Sequence, residues 1–132
     1  IWSPLRKVTA DLGPVDICVG SHREGLAKVF YEDQSAHGRS GAYALRLLGE
    51  AEIVERYPRV QPLAEPGDVL VMDFLTVHAS GFNRSPHPRW SMQLRYFNFA
   101  NEDGRSIGWS GSFAAGVPID QVHPDLLVPE PR

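Results

Sequence analysis

One stretch of the chain decides the fold: PGDVLVMDFLTVHASGFNRSPHPR, residues 66–89. It opens with Pro-Gly-Asp at 66–68, a composition typical of a turn. The run from Val69 to Val77 that follows is apolar except for Asp73 and Thr76. A short, nearly continuous apolar run is typical of a strand that is buried on both faces. The sequence therefore predicts that residues 69–77 form a central strand, with His78 at its end.

The second half of the stretch predicts a hairpin. Residues 81–88 (GFNRSPHP) have the glycine, asparagine, serine and prolines of a connecting turn, and Arg89 begins the returning strand. Ser80 lies two positions after His78, so both side chains share one face of a strand. A neutral imidazole suits a first-row metal, and a guanidinium suits a carboxylate. The hairpin is therefore predicted to place a metal ligand, His78, near a carboxylate-binding pair, Arg89 and Ser80.

The rest of the chain predicts short, frequently interrupted elements. Gly (12 residues) and Pro (11 residues) are spread throughout. Strands are predicted at 1–8, 15–19, 59–63 and 90–100, a polar loop at 31–41, and one helix at 42–57 that Pro58 ends. The Gly-, Ser- and Pro-rich tail after Asn101 is predicted to lie on the surface. This pattern favours a mainly β fold, a sandwich or jelly roll, with one short helix.

Composition excludes several classes of protein and site. The 132 residues fit one domain, 1–132, and a net charge of −3 gives no electrostatic footprint for nucleic acid or an anionic membrane. The single cysteine, Cys18, excludes an internal disulfide and a multi-thiolate metal site, and its apolar surroundings predict a buried thiol. No apolar stretch reaches membrane-spanning length and no signal peptide opens the chain. We therefore expect a cytoplasmic protein that acts on a small molecule.

Three short motifs resemble those of a known family. His78-Ala79-Ser80, Asn83-Arg84-Ser85 and Pro88-Arg89 follow the order H-x-S…N-x-S…P-R of the phytanoyl-CoA dioxygenase family. Upstream, residues 2–22 (WSPL…GP…GSH) are similar to that family's W-x-P-L…N-G-x…P-G-S-H, with Leu12 and Val19 in place of asparagine and proline. The resemblance covers about residues 1–100. It implies a double-stranded β-helix (jelly roll, cupin-like) and Fe(II)- and 2-oxoglutarate-dependent hydroxylation of a small organic substrate.

The resemblance also implies roles for individual residues. His78 matches the distal Fe(II) ligand, Arg89 and Ser80 match the residues that bind the 2-oxoglutarate carboxylate, and Trp2 matches a tryptophan near that cosubstrate. The family's other two iron ligands come from an H-x-D motif shortly before the tryptophan. The chain has one such motif, His123-Pro124-Asp125, but it follows His78, which is the wrong order, and its proline favours a turn or helix start. We therefore expect the proximal ligands upstream of Ile1, in a longer jelly-roll oxygenase domain of which this chain is the C-terminal part.

Two other functions fit the same residues. Gly67 to His78 also resembles the second motif of a cupin, so a cupin-like barrel without oxygenase activity is one alternative. An inactive jelly-roll protein that binds a ligand without metal is the other. Among single residues, Asp73 is predicted to be a buried, hydrogen-bonded carboxylate and Arg95 an outward-facing strand residue. The aromatic side chains predicted to lie in the core are Trp90, Tyr96, Phe97 and Phe99.

Overall fold

The computed structural model describes residues 1–32, 45–108, 111 and 118–131. The chain divides into two compact units. The first unit comprises Ile1–Arg23 and Ala51–Tyr96, and the second comprises Glu24–Glu50 and Phe97–Arg132. The single domain expected from the chain length stays a prediction.

Short strands and short helices alternate along the described residues. The strands are β1 (Trp2–Pro4), β2 (Val15–Cys18), β3 (Val29–Tyr31), β4 (Leu45–Leu47), β5 (Arg59–Val60), β6 (His78–Ser80) and β7 (Ser91–Gln93). The α-helices are α1 (Glu50–Arg56), α2 (Glu102–Ser106) and α3 (Ile119–Val122). Single 3-10 turns lie at Ala10–Leu12, Ser21–Glu24 and Pro124–Leu126. The prediction of one short helix was therefore wrong, because the tail after Asn101 also forms helical turns.

In the first unit, β2 is the central strand. It pairs antiparallel with β5 on one side and with β6 on the other, while β1 pairs antiparallel with β7. Ile17 lies opposite His78, and Val15 lies opposite Ser80. Directly opposed residues of an antiparallel pair project from the same face. His78 and Ser80 therefore share a face with two core residues.

The core of the first unit lies on that face. Trp2, Val8, Val15 and Ile17 are buried together, and Ala64, Leu70 and Met72 pack against them. Cys18 is also buried, as the sequence predicts. The hydrophobic contacts that stabilise β2 thus support the strand beside His78 and Ser80.

The second unit is built around one strand pair. Strand β3 pairs antiparallel with β4, and Val29 forms a parallel bridge with Leu127. Ile119 and Leu126 are buried apolar residues of this unit, and His123 is buried with them.

The predicted central strand at 69–77 was wrong. Leu70 forms one isolated bridge with Trp2, and strand pairing resumes at His78. Val69 and Val71 are 59% and 71% exposed, whereas Leu70 and Met72 pack against the core. Because the segment alternates with period two, it has one buried face rather than two.

Asp73 is exposed rather than buried. Its Oδ1 accepts a hydrogen bond from the Leu75 N–H at 2.8 Å, and the Thr76 N–H donates to its carbonyl oxygen at 3.0 Å. Asp73 therefore stabilises a turn before β6, because a short carboxylate reaches the backbone two residues ahead.

The predicted helix at 42–57 was correct only in its last part. Leu45–Leu47 is strand β4, and the helix begins at Glu50. Residues 42–44 of this prediction, and 33–41 of the predicted loop, lie outside the described residues. The predicted core positions of Trp90, Tyr96 and Phe99 were also wrong, because these residues are 63%, 72% and 49% exposed.

The described residues form three small sheets with few helices rather than a closed barrel. The fold in this part of the chain is therefore mixed, and the jelly roll stays a prediction. None of the helices described here has the length and apolar character needed to cross a membrane.

Candidate functional site

His78 is held in one tautomer by its neighbour in the chain. Its Nδ1 lies 2.8 Å from the carbonyl oxygen of Thr76. A carbonyl oxygen only accepts, so this hydrogen bond requires the proton on Nδ1, and the neutral ring then has its lone pair on Nε2. Histidine ligands of metals are commonly oriented by this kind of hydrogen bond. The hydrogen bond thus orients the exposed His78 imidazole through Nδ1 and leaves Nε2 without a partner among the described residues.

The predicted hairpin was wrong, because β6 pairs with β2 while β7 pairs with β1 and begins at Ser91. Arg89, in the segment between β6 and β7, is nevertheless the centre of a second cluster that includes Ser80 of β6. Its Nη2 donates to Ser80 Oγ at 2.7 Å, and its Nη1 donates to the carbonyl oxygen of Gly13 at 2.7 Å. The guanidinium carbon lies 5.9 Å from the centre of the Trp2 ring. The structure therefore brings together Arg89, Ser80 and Trp2, three residues that the family resemblance predicts to lie near the cosubstrate.

The charge of Arg89 has no anionic partner among the described residues. Both of its acceptors are neutral, and the ion pairs of the described part of the chain do not include it. Burial lowers the pKa of the Arg89 guanidinium from its ordinary value. A guanidinium nevertheless stays charged at neutral pH, and a partly desolvated cation is stabilised by an anion. The site is therefore electrostatically suited to a carboxylate or another small anion.

Asn83 and Ser85 fix the turn that carries Arg89. The Asn83 Oδ1 accepts from the Ser85 N–H at 2.9 Å and from the Ser85 hydroxyl at 2.8 Å, while Asn83 Nδ2 donates to the His87 carbonyl at 2.7 Å. The Arg84 N–H donates to the Asp11 carbonyl oxygen at 2.7 Å. The N-x-S motif thus forms a side-chain-stabilised turn, a role that the residue types alone indicate.

The Gly13 carbonyl is a partner of Arg89 that the sequence does not predict. The two residues are 76 positions apart, and a backbone acceptor carries no side-chain signature. The signal that was available is glycine itself, because glycine beside a strand often marks a close approach of two backbones.

Trp2 contributes a buried donor to this region. The residue is 4% exposed, and its Nε1 has no hydrogen-bond partner among the described residues. A buried polar group without a partner costs roughly 1–3 kcal/mol.

Asp16, a buried carboxylate on β2, belongs to the opposite face. It lies opposite Ala79, between the residues that face His78 and Ser80. Arg59 pairs with it through two donors and Gln61 Nε2 donates to it at 3.1 Å. The Arg59 hydrogen bonds, followed by that of Gln61, hold the pKa of the Asp16 carboxyl below its usual range despite burial. Asp16 is therefore already paired.

The described residues do not complete a metal site. Within them, three or more histidine, cysteine, aspartate or glutamate side chains do not come together in a metal-binding group. His123, in the second unit, is buried, and its Nε2 lies 3.0 Å from the Gly111 carbonyl oxygen. Pro124 begins a 3-10 helix, as its position after His123 predicts. The expected ligands upstream of Ile1 stay a prediction.

The family model for phytanoyl-CoA dioxygenase (PhyH) matches residues 1–91. The chain belongs to the phytanoyl-CoA dioxygenase family. The resemblance predicted from the motifs is thereby confirmed, and the match includes Trp2, Gly13, His78, Ser80 and Arg89. No curated protein and no solved structure matches the chain. The chain is therefore a member of an oxygenase family.

Proposed function

We propose that the protein is an Fe(II)- and 2-oxoglutarate-dependent dioxygenase that hydroxylates a small organic substrate. The observation that carries the proposal is the half-buried Arg89, which is held by two neutral acceptors and has no anionic partner among the described residues. Membership of the phytanoyl-CoA dioxygenase family supports the oxygenase class.

In this proposal Arg89 and Ser80 bind the far carboxylate of 2-oxoglutarate. The guanidinium carries more N–H donors than its contacts with Gly13 and Ser80 use, and it pairs with carboxylates through two parallel hydrogen bonds. The Ser80 oxygen accepts from Arg89, so the hydroxyl proton is free to point at the same carboxylate. A charged and a neutral donor thus converge on one anion.

Trp2 supports the same pocket from its buried side. Its ring lies against the Arg89 guanidinium, and it excludes water from that face. Lower local polarity strengthens the attraction between the guanidinium and a carboxylate.

His78 holds Fe(II) through Nε2, with its orientation set by the Thr76 carbonyl. Bound Fe(II) supplies O2 activation, which couples the decarboxylation of 2-oxoglutarate to the hydroxylation of a C–H bond. His78 and Ser80 are two residues apart on one strand, or about 7 Å. Because Arg89 donates to Ser80, the carboxylate-binding group would lie one strand step from the proposed metal ligand. The remaining ligands come from residues outside the described ones.

The test is the release of succinate from 2-oxoglutarate by the full-length protein with Fe(II), with its His78→Ala and Arg89→Ala variants. We expect His78→Ala to abolish turnover because a metal ligand is lost. We expect Arg89→Ala to raise the KM for 2-oxoglutarate by about 10- to 100-fold, because the variant loses one charge-assisted hydrogen-bonding group.

His87→Ala and Arg95→Ala are the matched controls. Both side chains are exposed and have the same chemistry as the tested residues. We expect both controls to keep the turnover of the natural protein. Equal succinate release from the natural protein, His78→Ala and Arg89→Ala contradicts the proposal and leaves a binding role without oxygenase activity.

A further inference from the structure

A backbone contact between Gly13 and Gly81 lies next to the carbonyl oxygen that accepts from Arg89. The Gly81 N–H donates to the Pro14 carbonyl oxygen at 2.9 Å, which continues the pairing of β2 and β6 by one step beyond Val15 and Ser80. Gly13, whose carbonyl oxygen accepts from Arg89, is the residue before Pro14. The backbone of Gly81 therefore supports the segment that supplies this acceptor.

Neither position has room for a side chain. A Cβ on Gly13 would lie 2.5 Å from the Gly81 carbonyl oxygen and 2.9 Å from the Asn83 nitrogen. A Cβ on Gly81 would overlap the Pro14 carbonyl oxygen and lie 3.1 Å from the Gly13 carbonyl carbon. Because the obstructing atoms belong to the backbone, a side chain at either position forces the two segments apart.

Gly13 also has a φ of +73°, which disfavours any other residue there, while Gly81 has no positive φ. Gly81 is therefore constrained by the close contact and not by its backbone conformation. This difference makes Gly81 the position at which the contact alone is testable.

We propose that Gly13 and Gly81 are positioning residues: their backbone contact sets the Gly13 carbonyl oxygen so that it orients the Arg89 guanidinium toward the far carboxylate of the 2-oxo acid. The inference rests on the proposed role of Arg89. With Ser80 holding Nη2 and Gly13 holding Nη1, both ends of the guanidinium are fixed before the ligand arrives. A preorganised guanidinium loses less conformational freedom on binding than a mobile one.

The test compares the affinity of two 2-oxo acids for the full-length protein, with Mn(II) in place of Fe(II), by titration calorimetry. 2-Oxoglutarate has the far carboxylate, and 2-oxobutanoate lacks it. We expect Gly81→Ala to weaken 2-oxoglutarate binding roughly tenfold, the effect of one misplaced charged hydrogen bond. The affinity of Gly81→Ala for 2-oxobutanoate is expected to stay within about twofold of that of the natural protein, because this ligand has no far carboxylate for Arg89 to bind.

A double-mutant cycle with Arg89→Ala separates positioning from a general structural effect. In the Arg89→Ala background, Gly81→Ala is expected to have no further effect on 2-oxoglutarate affinity. Gly104→Ala is the matched control: Gly104 also has no positive φ, and a Cβ there meets its nearest atom at 3.3 Å, in the second unit. We expect it to leave both affinities unchanged.

Three outcomes contradict the inference: equal losses for both 2-oxo acids, a loss from Gly81→Ala that persists in the Arg89→Ala background, or no loss at all. If Gly81→Ala does not fold, Asn83→Ala replaces it, since it releases the turn after Gly81 without adding an atom. The same selective loss is then expected, and its absence overturns the inference. If Arg89→Ala alone leaves 2-oxoglutarate affinity unchanged, the proposed function fails instead.

Discussion

Two arginines of the first unit show why Arg89 is singled out. Arg59 pairs with the Asp16 carboxylate, which raises the pKa of the Arg59 guanidinium, chiefly through hydrogen bonding. Arg89 is more buried, and its acceptors are a backbone carbonyl and a hydroxyl. A cation that already has its anion has a structural role, whereas one held by neutral groups remains available to a ligand.

Ser80 is predicted to contribute to cosubstrate affinity and not to the chemical step. Ser80→Ala removes the Nη2 acceptor of Arg89 and the hydroxyl donor to the carboxylate. We expect the KM for 2-oxoglutarate to rise about 5- to 10-fold, which corresponds to a loss of about 1 kcal/mol of binding free energy. We expect little change in kcat. Steady-state kinetics with varied 2-oxoglutarate measures both constants.

Ser106→Ala is the control for this substitution, because the Ser106 hydroxyl donates to the Asp103 carbonyl within its own helix, α2. It is expected to leave both constants unchanged. A fall in kcat at constant KM for Ser80→Ala contradicts the assigned role.

The side chains of the candidate site could be predicted from the sequence, whereas the backbone acceptor of Arg89 could not. His78, Ser80 and Arg89 follow from period-two facing and from the motif spacing, and the structure places Ser80 against Arg89. The Gly13 carbonyl was missed, since its position depends on a contact between segments that are distant in the sequence.

At the scale of elements, β2 has different functions on its two faces. Val15 and Ile17 pack into the core on the side of His78 and Ser80. Asp16 pairs with Arg59 on the other side. The strand is therefore held by apolar burial on one face and, on the other, by an ion pair that links it to Arg59 of β5.

The ion pair makes the stability of this sheet depend on pH. Because the pKa of Asp16 is lowered in the folded protein, its contribution is complete above its ordinary unfolded pKa. That contribution is lost as the pH falls through the lower folded value. We expect Asp16→Asn to lower the urea midpoint near neutral pH, with the difference narrowing below about pH 4.

Urea denaturation of both proteins across this range checks the prediction. Asp73→Asn is the control, because Asp73 is an exposed turn carboxylate. A difference between Asp16→Asn and the natural protein that stays constant into acid contradicts the assignment.

The wrong element predictions have one physical cause. Residues 69–77 are apolar enough for a central strand, but Val69 and Val71 face outward and Leu70 alone forms a bridge. Leu45 and Leu48 belong to a partial helical stripe in the sequence, yet Leu45–Leu47 pairs with Val29–Tyr31 as a strand. The composition and the spacing of apolar residues show which residues can be buried. Whether they form a strand or a helix depends on pairing with a segment that is distant in the sequence.

At the scale of the whole molecule, the candidate site lies within the first unit and within the family match. Trp2, Gly13, His78, Ser80 and Arg89 come from β1, the segment before β2, β6 and the turn after it. The antiparallel pairings of β1 with β7 and of β2 with β6 bring these segments together. Fold and site therefore depend on the same long-range pairings.

The most direct test is equilibrium binding of Fe(II) and of 2-oxoglutarate, measured without oxygen on the full-length protein, His78→Ala and Arg89→Ala. We expect His78→Ala to weaken Fe(II) binding about 100-fold or more, because a ligand is lost. We expect Arg89→Ala to keep the affinity for Fe(II) and to weaken 2-oxoglutarate binding about 10- to 100-fold. Unchanged Fe(II) affinity in His78→Ala, or unchanged 2-oxoglutarate affinity in Arg89→Ala, would contradict the proposed function.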